Sequence, residues 1–228
     1  MVKNIFFDLD DTLLDFKMAE RVALSKALTE AGIAPTPENT ALYSRINSRQ
    51  WELLEAGQLD RETLKVQRFR LFFEAMGVAA DPVPTALRYE ALLGIGHYWM
   101  PGARQLLEDL QGRYRLYLAS NGTADVQHGR LASAGMEHYF EGIFISEEIG
   151  ADKPSPAYFE KCFAAIPGFR REESVLVGDR LTSDILGGNR VGLRTVWLNP
   201  DNLPLTGEVQ PTVTIRALSR LPEVLAAL

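Results

Sequence analysis

Five short apolar segments, each rich in Val, Ile, Leu, Phe or Tyr, recur along the 228-residue chain. They mostly do not alternate with polar residues, which is the pattern of strands buried on both faces of a parallel sheet. Helical patterns separate the later four, at Val126–Ala134, Pro156–Ala165 and Asp184–Val191. A β-α-β-α order is typical of a doubly wound, Rossmann-like α/β core. We therefore predict an α/β fold of this type, with a short edge strand at 212–215 and a closing helix. The five strands are predicted at Lys3–Asp8, Arg115–Ser120, Gly142–Ile145, Ser174–Val177 and Arg194–Trp197.

The stretch between the first two strands breaks this order, because it holds helical periodicity and no convincing strand. Turns containing Gly or Pro separate its four helical patterns. We predict an inserted α-helical cap domain at residues 16–98, and a core formed by residues 1–15 and 99–228. The cap helices are predicted at Met18–Ala31, Asn39–Ala56, Arg61–Met76 and Thr85–Ile95.

Bulk properties exclude several classes of protein. The formal net charge is −6 and no basic stripe is present, which argues against binding to a nucleic acid polymer. Cys162 is the single cysteine, so no intramolecular disulfide is possible. No apolar run approaches the ~18 residues of a membrane helix. Met1 is followed almost directly by the first strand, which leaves no room for a signal peptide. We expect a cytoplasmic protein with a small-molecule substrate and no membrane partner.

Polar side chains follow four of the predicted strands, at the sheet edge where open α/β folds bind ligands. An unpaired buried charge costs several kcal/mol, so a carboxylate that ends a buried strand requires a partner. Asp8 and Asp10 lie two positions apart and face the same way, which lets them share a metal ion, a proton or a substrate. The set as a whole is Asp8, Asp10, Ser120, Asn121, Lys153, Asp179 and Asp184.

These residues lie in four motifs: DLDDT (8–12), SNG (120–122), KP (153–154) and GDRLTSD (178–184). The motifs resemble the four motifs of the haloacid dehalogenase-like (HAD) hydrolase superfamily. The resemblance covers essentially the whole chain, including a helical cap after the first strand. It implies a phosphatase that works through an aspartyl-phosphate intermediate and takes a small-molecule phosphate as substrate.

The resemblance also implies a role for each acid. Asp8 would be the nucleophile that attacks phosphorus. Asp10 would be the general acid for the leaving oxygen and then the base for the hydrolytic water. Oxygen ligands and a phosphate substrate suit Mg²⁺, which the Asp8 carboxylate, the Asp10 backbone carbonyl and Asp179 would bind.

Three further residues are expected to bind the phosphate: Ser120 through its hydroxyl, Asn121 through its backbone amide, and Lys153 through its charge. Asp184 would anchor metal-bound waters or Lys153, and Thr12 would support the tight turn. For Lys153 a surface lysine before a turn proline is the alternative. For Asp184 the alternative, or additional, role is a helix N-cap.

The cap is the part that would read the leaving group. Trp51 and Arg68 are candidate substrate residues, through stacking and charge-assisted hydrogen bonds. The alternatives are a place in the cap core for Trp51 and a solvated helix face for Arg68. Three parts of the chain are similar to the house-cleaning pyrimidine 5′-nucleotidases of the superfamily, which implies nucleoside 5′-monophosphates as substrates. These are the cap runs between Asn47 and Phe69, the segment Ile145–Gly150 and the segment Ser183–Gly188.

Other readings remain open at this point. The same residues would serve a broad sugar phosphatase or a phosphomutase, which shares the aspartyl-phosphate step. A 2-haloacid dehalogenase keeps the nucleophile but lacks the acid two residues later and needs no metal, so Asp10 and Asp179 argue against it. A non-enzymatic binding module has no support, because every expected catalytic group is present.

Overall fold

The computed structural model describes residues 1–207 and 209–228. The chain falls into two compact units, one formed by Met1–Phe16 with His97–Leu228 and the other by Lys17–Gly96. The first unit contains the sheet and the second is helical. Among the described residues, no helix combines the length and the hydrophobicity needed to span a bilayer.

The sheet has six parallel strands in the order β3-β2-β1-β4-β5-β6. The predicted α/β class with a doubly wound parallel sheet is therefore confirmed. The strand order reverses at β1, and ligands bind at such a switch point, beyond the carboxyl ends of the strands. The strands are β1 Asn4–Phe7, β2 Arg115–Ser120, β3 Gly142–Ile145, β4 Ser174–Gly178, β5 Arg194–Leu198 and β6 Val213–Ile215.

Helices cover both faces of this sheet. In the described part of the chain, the α-helices are, in order, α1 Phe16–Glu30, α2 Pro37–Glu55, α3 Arg61–Met76, α4 Pro82–Leu93, α5 Ala103–Leu110, α6 Ala124–Ala134, α7 Ser146–Ile149, α8 Pro156–Ala164, α9 Leu186–Arg190 and α10 Leu221–Ala227.

Alternate residues of β1 enter two different hydrophobic clusters, because successive side chains of a strand point to opposite faces. Ile5 and Phe7 pack with residues of α5 and α10. Phe6 packs on the other face with residues of α8, and its ring stacks on Tyr117 at 5.1 Å between centroids. Cys162 is part of this second cluster, and burial raises the pKa of its thiol to about 12. It is therefore a core side chain without thiolate reactivity.

The helical unit shows the capping signals that its sequence contains. The backbone N–H of Thr63 donates to the Asp60 carboxylate at 2.8 Å, so α3 begins where the sequence predicts. Gly77 ends the same helix in the left-handed conformation, with φ of 67°. Aromatic rings fill the interior, where Tyr43 lies 4.8 Å from Phe69 between ring centroids.

Two local features differ from the prediction. The helix expected at Asp184–Val191 is divided: Leu181–Ile185 forms one π-helical turn and α9 covers only Leu186–Arg190. The four-residue helix α7 was not predicted, because one turn is too short to show a helical period.

Candidate active site

Asp8 and Lys153 form the centre of the site. Asp8 follows β1 directly, is only 6% exposed, and continues the sheet through its backbone N–H to Val177 O at 2.9 Å. Lys153 is 1% exposed and donates to Asp8 Oδ1 at 2.7 Å. It also donates to Ala119 O and to Asp184 Oδ1, both at 2.6 Å. These contacts use the three donors of the ammonium. The alternative of a surface lysine is therefore wrong.

Asn121 joins the loop after β2 to the loop that carries Lys153. Its side-chain amide donates to Lys153 O at 2.8 Å, and Lys153 N donates back to Asn121 Oδ1 at the same distance. The Lys153–Pro154 peptide bond is cis. The Asn121 side chain thus positions the lysine backbone, and the phosphate contact predicted for Asn121 remains one for its backbone amide.

Asp8, Asp179 and Asp184 form a cluster of carboxylates. They present ligand atoms that all lie within 4.8 Å of one another. Asp184 is fully buried, and its Oδ2 accepts the backbone N–H of Arg180 at 3.1 Å. It lies inside the π-helical turn and does not cap α9, so the alternative of a helix N-cap is wrong. Thr12 Oγ1 lies 3.5 Å from Asp179 Oδ1.

Gly178 explains how Asp184 approaches the end of β4. A Cβ at position 178 would lie 2.3 Å from Asp184 Oδ2 and 2.4 Å from its Cγ. A side chain at this position would displace the carboxylate, so the glycine that opens the fourth motif is a packing requirement.

Burial and mutual repulsion dominate the electrostatics of this cluster. Burial, together with the charges of Asp184 and Asp10, raises the pKa of Asp8 to about 7 despite the opposing effect of Lys153. Burial and the charges of Asp8 and Asp184 raise the pKa of Asp179 well above its usual range. Burial opposes ionisation of Lys153, but the charges of Asp184 and Asp8 outweigh it and raise the pKa of the lysine. Three clustered carboxylates, two of which bond the Lys153 ammonium, form an oxygen-rich site that fits a Mg²⁺ ion.

Asp10 lies beside this cluster and contacts two residues of α6 that the sequence analysis did not single out. Gln127 Nε2 donates to Asp10 Oδ2 at 2.8 Å and to Ser120 Oγ at 2.7 Å. Arg130 donates to Asp10 Oδ1 in an ion pair. Their spacing of three residues places them on one face of a helix that begins just after the SNG motif, but it does not show that this face is buried.

Glu147 is a further residue that the sequence analysis missed. Its carboxylate accepts the backbone N–H of Ala124, at the start of α6, at 2.6 Å. The first turn of α6 follows the SNG loop, so Glu147 fixes the helix that continues this loop.

The two candidate substrate residues of the cap lie in different settings. Trp51 is half-buried, with the Arg61 guanidinium 5.5 Å from its ring centroid. Arg68 is buried and donates to Glu90 at 3.0 Å and to Asn47 at 3.2 Å. The alternative of a solvated helix face is therefore wrong for Arg68. Contact of either residue with a substrate stays a prediction.

Comparison with known proteins identifies the family. The profile described as haloacid dehalogenase-like hydrolase matches residues 2–192. The chain belongs to this family of hydrolases.

Several relatives match along nearly their whole length. The protein named HAD-hydrolase YfnB of Bacillus subtilis is 37% identical over 98% of this chain and 95% of its own. Pyrimidine 5′-nucleotidase PynA of Streptococcus pneumoniae is 38% identical over 98% and 94%. Pyrimidine 5′-nucleotidase YjjG of Escherichia coli is 30% identical over 97% and 96%.

Solved structures agree with this family. A crystal structure of YfnB bound to magnesium superposes with a TM-score of 0.93 and covers 98% of both chains at 37% identity. A 2-haloacid dehalogenase from Pseudomonas syringae has a TM-score of 0.68 at 28% identity, and covers 100% of this chain and 99% of its own.

Proposed function

We propose that this protein is a Mg²⁺-dependent phosphomonoester hydrolase that forms an aspartyl-phosphate on Asp8, and that its substrates are pyrimidine nucleoside 5′-monophosphates. The observation that carries the proposal is the buried Asp8 carboxylate, bonded to Lys153 at 2.7 Å within a cluster of acids at the switch point of the sheet. The substrate class is supported by the two relatives named pyrimidine 5′-nucleotidase.

In the first half of the reaction an Asp8 oxygen attacks phosphorus. The bond between phosphorus and the leaving oxygen breaks, and that oxygen takes a proton from the Asp10 carboxyl. Lys153 offsets the negative charge of Asp8 and of the transferring group. The Ser120 hydroxyl and the backbone amides of Asn121 and Gly122 bind phosphoryl oxygens.

In the second half a water molecule attacks the phosphorus of the aspartyl-phosphate. Asp10, now a carboxylate, removes a proton from this water. The bond between phosphorus and the Asp8 oxygen breaks, which regenerates the Asp8 carboxylate and releases inorganic phosphate.

The ligands of the ion are assigned within the same proposal. The Asp8 and Asp179 carboxylates and the Asp10 backbone carbonyl would hold Mg²⁺. When bound, the ion supplies positive charge that offsets the repulsion between the Asp8 carboxylate and a phosphate dianion. The division into a core (1–15 and 99–228) and a substrate-selecting cap (16–98) belongs to the proposal as well.

Phosphate release tests the proposal directly. The purified protein is assayed with UMP, dTMP, p-nitrophenyl phosphate and sugar phosphates, with Mg²⁺ and after removal of the ion with EDTA. We expect Mg²⁺-dependent release of phosphate, fastest from the pyrimidine nucleotides. A preference for sugar phosphates would be consistent with the proposed reaction type but would overturn the proposed substrate class. Metal-independent turnover of a 2-haloacid would replace the proposal by a dehalogenase.

Substitution of the nucleophile tests the covalent step. Asp8→Asn should lower kcat by on the order of a thousandfold or more, because it removes the attacking oxygen charge. Asp109→Asn is the matched control, since Asp109 lies exposed on α5 and bonds only Gln105 among the contacts described. Activity of Asp8→Asn comparable to that of the control would refute the assignment of Asp8.

A further inference from the structure

A polar pair on α6 connects the acid–base group of the proposed mechanism to the phosphate-binding hydroxyl. Gln127 and Arg130 are three residues apart and share one face of the helix. Both are buried, with exposures of 1% and 0%. They lie 117 and 120 residues from Asp10 in the chain, so only the fold brings them to it.

The contacts of this pair account for both oxygens of Asp10. Gln127 Nε2 donates to Oδ2, and Arg130 is ion-paired with Oδ1. Arg130 Nη1 also donates to Gln127 Oε1 at 3.1 Å, which orients the amide. The same amide nitrogen reaches Ser120 Oγ at 2.7 Å. Gln127 therefore bonds both the Asp10 carboxylate and the Ser120 hydroxyl, and Arg130 holds the second oxygen of Asp10.

Gly122 supplies an independent observation on the same pair. A Cβ at position 122 would lie 2.2 Å from Gln127 Nε2 and 2.4 Å from its Cδ and Cγ. The glycine of the SNG motif thus leaves the space in which the Gln127 side chain lies. The phosphate loop and the α6 pair fit together only if residue 122 has no side chain.

Packing alone does not account for Arg130. A buried ion pair is often no more stabilising than apolar side chains of similar size, because both charges lose their hydration. The guanidinium lies in addition 5.7 Å from the centroid of the Phe16 ring. The arginine instead places its charge against the Asp10 carboxylate.

We infer that Gln127 and Arg130 are positioning residues that hold the Asp10 carboxylate in the orientation used for proton transfer and keep it in register with Ser120. The inference rests on the proposed function, because it assigns Asp10 to acid–base chemistry. Neither residue bonds a reacting atom in the proposed mechanism. Arg130 acts through Asp10, and Gln127 acts through Asp10 and through its bond to the Ser120 hydroxyl. A misplaced catalytic group costs up to about a hundredfold in rate, which sets the scale of the effect.

The leaving group separates this role from a purely structural one. Arg130→Met and Gln127→Met are compared with wild type on UMP, whose alkoxide leaves only with a proton, and on p-nitrophenyl phosphate, whose phenolate leaves without one. We expect kcat/KM to fall roughly ten- to hundredfold for UMP and less than about threefold for p-nitrophenyl phosphate. Arg115→Met is the control, since it removes a half-exposed ion pair with Glu141 elsewhere in the same unit and should change neither value.

A double-mutant cycle tests whether the pair acts through Asp10. Adding Arg130→Met to Asp10→Asn should cause no further loss on either substrate. Thermal unfolding of each variant shows which of them fold. If Arg130→Met does not fold, the same comparison is made with Gln127→Met, which changes no charge.

The outcomes separate the inference from the function on which it rests. Equal losses on both substrates, or losses that multiply in the double variant, would overturn the positioning role while the wild-type enzyme still releases phosphate. A wild-type protein inactive on both substrates would overturn the proposed function itself, and the inference with it.

Discussion

Replacing Lys153 by methionine removes a buried charge while nearly conserving the length of the side chain. The substitution leaves Asp8 and Asp184 without the ammonium that bonds both of them, at 2.7 and 2.6 Å. With exposures of 6% and 0%, neither carboxylate can be hydrated instead. Breaking a buried ion pair from one side costs about 3–5 kcal/mol.

Protonation limits this loss. Burial and neighbouring acids already raise the pKa of Asp8 to about 7. Near neutral pH the carboxyl can therefore take up a proton and no longer needs a cation. We expect a loss of about 3 kcal/mol, near the lower end of the range. For a protein of this length this corresponds to a fall in Tm of roughly 6–12 °C.

The loss of stability caused by Lys153→Met should depend on pH. A carboxyl whose pKa is raised in the folded state favours folding at low pH, and this contribution is lost as the pH rises through the folded value. The Lys153 charge lowers the pKa of Asp8, so this pKa is raised further in the variant and the dependence on pH is stronger there. The difference in Tm between Lys153→Met and wild type should therefore be larger at pH 8 than at pH 6. Both proteins are compared in EDTA, by circular dichroism, so that no divalent ion compensates the missing charge.

Lys161→Met serves as the control for the loss of a lysine. Lys161 is exposed and donates to Ile149 O at 2.6 Å, so its substitution should change stability by no more than about 0.5 kcal/mol. A Lys153→Met protein that melts within about 2 °C of wild type at pH 8 would refute the reasoning, since 3 kcal/mol predicts a larger shift.

Two further perturbations address the same cluster. Mg²⁺ should raise Tm more at pH 8 than at pH 5.5. The pKa of Asp8 is raised to about 7, so protons compete with the ion at the lower pH. An equal rise in Tm at both pH values would contradict binding of the ion through this carboxylate. Gly178→Ala should lower the free energy of unfolding in urea by about 1–3 kcal/mol, because the alanine Cβ would overlap the Asp184 carboxylate. A change within about 0.5 kcal/mol would mean that the segment carrying Asp184 adjusts freely to the added methyl group.

The sheet and the place of the motifs could be predicted because local and global signals agree. Each strand is an apolar segment, and a parallel topology brings all strand ends to one edge. Asp8, Lys153 and Asp184 thus come together in space as well as in the motif pattern. The exact boundaries of short elements could not be predicted, because α7 is a single turn and the π-helical turn at Leu181–Ile185 depends on tertiary contacts of Asp184.

The α6 pair was missed for a different physical reason. Gln and Arg three residues apart on a helix are ordinarily solvent-exposed, and hydrophobic periodicity places polar residues on the outer face. Here the helix follows the SNG loop and turns both side chains toward Asp10, 117 and 120 residues away. Only the three-dimensional structure shows that this polar face points inward.

The charges of the site explain why substrate and metal must be considered together. Three of the acids have a basic residue in contact: Asp8 and Asp184 both accept from the Lys153 ammonium, and Asp10 is ion-paired with Arg130. Burial and its acidic neighbours raise the pKa of Asp179. A phosphate dianion entering this site adds negative charge to a cluster that already repels itself. A divalent cation lowers that repulsion, and linkage requires that phosphate strengthen the binding of the cation by the same factor. In the proposed mechanism, the excess of carboxylates around Asp8 would thus make this residue hardest for a phosphate to approach in the metal-free protein, and the ion would act by lowering that repulsion.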